Sequence, residues 1–226
     1  MKKVIFALAL LGLSATGTAS DRPTMYQVTI TNITKGQTFT PQLVVSHSAS
    51  VRLFMLGEPA SDELALLAED GNTDALTGVL RSAGAAVGEV KTIPGLLLPG
   101  ESAITTIRAS RGHPYISVAA MLIPTNDNFV ALNRKRLPFY GSTTYEVPAF
   151  DAGSEANDQN CANIPGPRCG GAGSSPGTNA GDEGFVHISN GFHELGSMDD
   201  IGNEILGPLT YDWRNPVASI TVRRVR

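Results

Sequence analysis

The fold follows from the segment Tyr26-Gln-Val-Thr-Ile-Thr-Asn-Ile33, in which apolar and polar side chains alternate with a period of two. Such alternation is typical of a β-strand with one face in a core and the other in water. Ser102-Ala-Ile-Thr-Thr-Ile-Arg108 repeats the pattern, and the more continuously apolar Tyr115–Ile123 indicates a central strand. Gly, Pro, Asn and Asp separate these runs, so the chain is predicted to be all-β.

A short helical insertion interrupts the strands. Ser61 is placed to cap a helix that ends at Gly71, and Thr73 is placed to cap a second helix that ends near Gly84. The pattern is therefore a β-sandwich with a helical excursion rather than alternating βαβ units. The remaining candidate strands are Phe39–Ser46, Val51–Phe54, Phe129–Leu132, Thr144–Phe150, Gly184–Ile188 and Val217–Val225.

The first twenty residues have the pattern of a secretory signal peptide. Lys2 and Lys3 precede the apolar stretch Val4–Leu13, and small residues follow it up to a cleavage site after Ala19 or Ser20. No later run reaches the ~18 apolar residues of a transmembrane helix. We therefore expect residues 1–20 to be removed, and residues 21–226 to form one β-sandwich domain that is secreted or periplasmic.

Charge and cysteines agree with export. Loss of Lys2 and Lys3 takes the net charge from −4 to −6, and an acidic chain argues against a nucleic-acid partner. The chain has two cysteines, Cys161 and Cys169, separated by a turn-forming Ala-Asn-Ile-Pro-Gly-Pro-Arg sequence. In an oxidising compartment this spacing predicts a local disulfide rather than a zinc site.

Three acidic residues follow strand-like segments on predicted loops. Asp127 follows the apolar Met121-Leu-Ile-Pro124, and Asp151 follows Tyr145-Glu-Val-Pro-Ala-Phe150. Gly153 permits a tight turn that can bring Glu155 back beside Asp151. Clustered carboxylates suit Ca²⁺, which takes six to eight oxygen ligands. Spacing alone leaves open whether the three acids share a cation or are separate, solvated loop residues.

Two motifs leave a catalytic alternative open. Gly173-Ser-Ser-Pro-Gly177 matches G-x-S-x-G, but no strand precedes Ser174 and Ser175 as a nucleophile elbow requires. His187 and His193 form a second candidate region, in which His193-Glu194 begins like a zinc-protease motif without its second histidine. The alternative function is an exported hydrolase that uses the serine loop or this histidine region.

The acidic segments also resemble a known family. Met121-Leu-Ile-Pro-Thr-Asn-Asp-Asn-Phe-Val130 resembles the M-I-x-P-S-x-D-W-F-V segment of the spondin N-terminal domain. Asp151-Ala-Gly-Ser-Glu155 is similar to that family's Y-D-A-G-T-D. Gly184-Phe-Val-His-Ile188 and Asp212-Trp-Arg-Asn-Pro-Val-Ala218 resemble segments of its exported bacterial members. The resemblance extends over roughly residues 26 to 225.

The resemblance implies a C2-like antiparallel β-sandwich with one bound Ca²⁺, held by Asp127, Asp151 and Glu155. Asn128 stands where the family motif has Trp, and Glu155 stands where it has Asp. The implied function is a calcium-binding, non-catalytic binding or adhesion module of the extracellular matrix type. Its expected partner is an extracellular or periplasmic protein or glycan. C2 analogy adds a third possibility, calcium-dependent membrane docking, which needs an exposed apolar or basic loop tip beside Asp127.

Overall fold

The structure, a computed structural model, describes residues 23–169, 181–192, 196, 198–199, 201–202 and 204–225. The predicted signal peptide, residues 1–20, lies outside the described residues, as do Ser174, Ser175 and His193. In the part of the chain that the structure describes, every helix is too short or too polar to cross a membrane.

The described residues form mainly antiparallel β-strands. The strands are β1 Thr24–Asn32, β2 Thr38–Phe39, β3 Gln42–His47, β4 Val87–Ile93, β5 Ser102–Ala109, β6 Tyr115–Ile123, β7 Asn128–Arg136, β8 Ser142–Val147, β9 Ala149–Asp151, β10 His187–Ile188 and β11 Ala218–Val225. The helices are α1 Asp62–Asp70, α2 Asp74–Ser82 and α3 Pro208–Tyr211, with 3₁₀ turns at Gly84–Ala86 and Pro167–Cys169.

Two sheets pack face to face. One has the strand order β5-β1-β11-β8, and the other has the order β10-β9-β7-β6-β3-β4, with β2 also paired to β6. Buried side chains from both sheets meet between them, including Val28 and Ile220 from the first sheet and Val118 and Val130 from the second. The predicted all-β antiparallel sandwich with a short helical insertion is confirmed.

The insertion covers the outer face of the second sheet. Leu64 and Leu67 of α1 pack with Leu43, Ala119 and Phe129 in a second buried cluster. Both faces of β6 are therefore buried, which explains why its sequence is continuously apolar whereas β1 alternates.

The helix boundaries follow the predicted caps with one exception. The Ser61 hydroxyl accepts a hydrogen bond from the Leu64 N–H (3.3 Å), and Gly71 ends α1 with φ at 66°. Thr73 precedes α2 but makes no capping hydrogen bond. The Asp74 N–H instead donates to the Asn72 side chain at 2.8 Å.

One predicted strand is absent from the structure, and one strand of the structure was not predicted. Residues 51–54 form no strand, because Leu53 and Phe54 pack as loop residues against the second core cluster. The Leu53 N–H donates to the Asn133 side chain at 3.0 Å, which replaces a ladder partner. The strand that was not predicted is β4. Its side chains are all half-buried or exposed, so they lack the clear alternation that marks a strand in the sequence.

The predicted disulfide is confirmed. Cys161 and Cys169 are bonded, with Cα atoms 4.9 Å apart. Both cysteines pack against the core between the sheets, near the buried Ile164. The bond ties the segment that follows the acidic loop to the body of the sandwich.

Candidate metal centre

Asp127 joins the two acidic loops. It is fully buried between β6 and β7, and its Oδ2 accepts hydrogen bonds from the N–H groups of Ser154 (2.8 Å) and Glu155 (3.0 Å). The Asp127 carbonyl accepts another from the Ala152 N–H at 3.2 Å. Asp127 of the β6–β7 loop thus holds the backbone of the loop that follows β9. The N–H groups of Ser154 and Glu155 in that second loop lie outside the strands, so they need such an acceptor.

Asp151 ends β9 and is oriented from two sides. Its Oδ1 accepts a hydrogen bond from the Gly153 N–H (2.8 Å), and its Oδ2 accepts one from the Asn157 amide (2.8 Å). Gly153 has φ at +64°, and a Cβ there would lie 2.3 Å from the Phe185 carbonyl oxygen. Only glycine fits this turn, which carries the chain back so that Glu155 reaches the buried acids.

The three predicted ligands are all buried, and the charges of Asp151 and Glu155 act on Asp127. Asp127, Asp151 and Glu155 are each at most 2 % exposed. Burial first and then the charge of Asp151 raise the pKa of Asp127 to about 8, against the lowering effect of the Glu155 and Ser154 N–H groups. The Glu155 charge makes the smallest contribution to this value. The repulsion between these carboxylates is the interaction that a bound cation would reverse.

Two buried oxygens at this position have no hydrogen-bond donor among the residues that the structure describes. They are Asp127 Oδ1 and Asn128 Oδ1, and both residues are at most 2 % exposed. Buried polar atoms are normally hydrogen-bonded, so such atoms call for a partner beyond the described protein groups. The side chains of Asp127, Asn128, Asp151 and Glu155 offer oxygen atoms as metal ligands, and hard cations prefer oxygen. The residues present therefore fit a divalent cation.

The raised pKa of Asp127 predicts a pH-dependent stability in the absence of metal. Between its ordinary pKa of 3.8 and about 8, the folded state keeps a proton on Asp127 that the unfolded state releases. This contribution to the free energy of unfolding is complete below pH 3.8 and is lost as the pH rises towards 8. In chelator, wild type should lose stability over this range relative to Asp127→Asn, as urea unfolding at several pH values will measure. Parallel pH curves for the two proteins would contradict the assignment.

A second acidic group adjoins the first. One ligand atom from each of Asp151, Glu183 and His187 lies within 4.8 Å of the other two, and these residues could hold a metal ion. The sequence had suggested His187 only in combination with His193, which lies outside the described residues. Glu183 was missed, because it stands in a Gly-rich loop with no periodic pattern to mark it.

The membrane-docking alternative concerned the loop tip beside Asp127. The two neighbours of Asp127, Asn126 and Asn128, are both buried. The exposed aromatic residues Phe139 and Tyr140, each 80 % exposed, lie beyond the other end of β7. The β6–β7 loop itself therefore offers no exposed apolar or basic tip.

Comparison with known proteins identifies the family. The model of the spondin N-terminal domain (Spondin_N) matches residues 18–161, a segment that includes Asp127, Asp151 and Glu155. No curated protein matches the chain. The family match covers more than half of the sequence, and the sandwich has the architecture that the resemblance implied. The chain belongs to the spondin N-terminal domain family.

Proposed function

We propose that this protein is an exported, calcium-binding module that binds an extracellular or periplasmic protein or glycan without catalysis. The observation that carries the proposal is the burial of Asp127, Asp151 and Glu155, together with an Asp127 oxygen that has no hydrogen-bond donor among the described residues. Membership of a family of extracellular, non-enzymatic domains supports both the location and the absence of catalysis. The disulfide also suits an oxidising compartment.

Calcium is the cation that the donor set favours. Asp127, Asp151 and Glu155 would hold it through carboxylate oxygens, with backbone carbonyls and water completing the shell. Bound Ca²⁺ would supply positive charge that offsets the repulsion among these carboxylates. Mg²⁺ fits less well, because it requires a tight octahedron and gives up its waters reluctantly.

The hydrogen bonds that Asp127 accepts would couple calcium binding to partner binding. Asp127 spans from the β6–β7 loop to the backbone of Ser154 and Glu155. With Asp127 ionised by the cation, those N–H groups donate to a charged acceptor, and such hydrogen bonds are stronger than neutral ones. The loop that follows β9 then forms an ordered rim beside Phe185 and Ile188, which are 42 % and 53 % exposed. This rim is the proposed contact surface for the partner.

The test is a glycan and protein array probed with the purified protein in Ca²⁺ and in chelator. We expect bound partners in Ca²⁺ that are lost in chelator and lost in Asp151→Asn, because both changes remove the ordered rim. An exposed-acid variant, Asp182→Asn, is the control. Partners that bind equally under all conditions would contradict calcium dependence. Hydrolysis of arrayed substrates that disappears in Ser174→Ala or Ser175→Ala would contradict the non-catalytic role.

A further inference from the structure

A row of polar side chains crosses three neighbouring strands beside the proposed calcium position. Asn128 of β7 pairs with Asp151 of β9, and Asp151 pairs with His187 of β10. Directly paired residues present their side chains on the same face of a sheet. Glu183 joins this row, and its side chain is 33 % exposed, so the row opens to solvent at one end.

His187 is held in the tautomer that a metal ligand needs. Its Nδ1 lies 3.0 Å from the Ile188 carbonyl oxygen. A carbonyl can only accept, so Nδ1 carries the proton and the neutral ring has its lone pair on Nε2. Metal-binding histidines usually donate their second ring N–H to a backbone carbonyl or carboxylate in this way.

The Nε2 atom of His187 is buried without a hydrogen-bond partner in the described part of the chain, and it faces two carboxylates. It lies 3.6 Å from Asp151 Oδ1 and 4.0 Å from Glu183 Oε2. The other described histidines differ, because both ring nitrogens of His47 and of His113 have hydrogen-bond partners. A lone pair directed at carboxylate oxygens is repulsive unless a cation or a proton lies between them.

The far oxygens of the two carboxylates are oriented by one amide. Asn157 Nδ2 donates to Asp151 Oδ2 (2.8 Å) and to Glu183 Oε1 (3.3 Å). Asn128 Nδ2 in turn donates to Asn157 Oδ1 at 3.2 Å. Asn128, which replaces the Trp of the family motif, is 2 % exposed, and its own Oδ1 has no partner among the described groups. This support leaves Asp151 Oδ1, Glu183 Oε2 and His187 Nε2 facing one another, as expected of preorganised ligands.

We propose that Asp151, Glu183 and His187 form a second cation site, for a transition metal of the zinc class, that shares Asp151 with the calcium position. The imidazole selects such a metal, because Ca²⁺ prefers oxygen ligands whereas zinc accepts nitrogen and carboxylate together. Three protein ligands leave a fourth, solvent-facing position for water. The four carboxylates of the two positions, when ionised, match the charge of two divalent cations. Glu183 and His187 lie beyond the segment matched by the family model.

Zinc titration calorimetry, on protein without a histidine tag and in excess Ca²⁺, tests the proposal. We expect one saturable equivalent of Zn²⁺ in wild type and at least about tenfold weaker binding in His187→Gln, by the scale of metal-site mutations. His113→Gln is the matched control and should bind as wild type does. Co²⁺ should give visible absorption bands that His187→Gln loses, which reports nitrogen ligation directly. Circular dichroism confirms that each variant is folded.

The outcomes separate this site from the calcium position. Asp127→Asn should lose the response to Ca²⁺ and still bind Zn²⁺, so the failure of one site leaves the other measurable. Zn²⁺ binding that is unchanged in His187→Gln would place zinc at the calcium ligands and overturn the proposal. Absence of saturable Zn²⁺ binding would also overturn it.

Discussion

Calcium should raise the melting temperature of this protein, and Asp151→Asn should abolish most of the increase. A ligand that binds only the folded state stabilises it by about 2.7 kcal/mol at a hundredfold excess over Kd. In a chain of this size, that corresponds to an increase of roughly 5–10 °C. Asp151→Asn keeps the shape of the side chain and removes a charge from the buried set. Thermal denaturation in Ca²⁺, in Mg²⁺ and in chelator measures the effect, and Mg²⁺ should substitute poorly.

The same variant should behave differently in chelator. The charge of Asp151 raises the pKa of Asp127 by repulsion, so its removal should offset, in the metal-free protein, the loss of one of the hydrogen bonds that Asp151 accepts from Gly153 and Asn157. Asp182→Asn removes an equal charge from an exposed residue and should keep the full calcium response. A melting temperature of wild type that is the same in Ca²⁺ and in chelator would refute the calcium position.

Phe129→Ala should cause a large loss of stability. Phe129 is fully buried, and its ring centroid lies 5.3 Å from that of Phe54 and 5.7 Å from that of Phe150. Truncation of a buried phenylalanine costs about 3–5 kcal/mol, because apolar contacts are lost and a cavity remains. Phe129 and Phe150 also pair across β7 and β9, next to Asp127 and Asp151. The calcium response should therefore weaken together with the free energy of unfolding.

Urea unfolding compares this variant with two others. Phe139→Ala removes the same ring from a side chain that is 80 % exposed, where the loss of its contact with Arg224 at 5.6 Å should cost no more than about 1 kcal/mol. Phe129→Leu should show an intermediate loss and keeps the comparison possible if the alanine variant fails to fold. Equal stability of Phe129→Ala and Phe139→Ala would show that the aromatic cluster does not support the acidic loops.

Local patterns in the sequence were sufficient for much of the fold. The alternation in β1 and the apolar run in β6 predicted their burial, because side-chain period and burial are directly linked in strands. Ser61 and Gly71 marked the ends of α1, since capping depends on neighbouring residues alone. Residues 51–54 were assigned wrongly, because a short apolar run can pack as a loop when another side chain satisfies its backbone.

The sequence by itself determined the strand-rich class, the helical insertion and the disulfide, and through family resemblance it predicted Asp127, Asp151 and Glu155 as cation ligands. Only the tertiary structure decided that α1 covers the outer face of the second sheet. It also decided that Glu183 and His187 lie beside Asp151, because the β9–β10 pairing joins residues 36 positions apart in the chain. Local side-chain period carries no information about such pairing, which depends on the packing of the whole sheet.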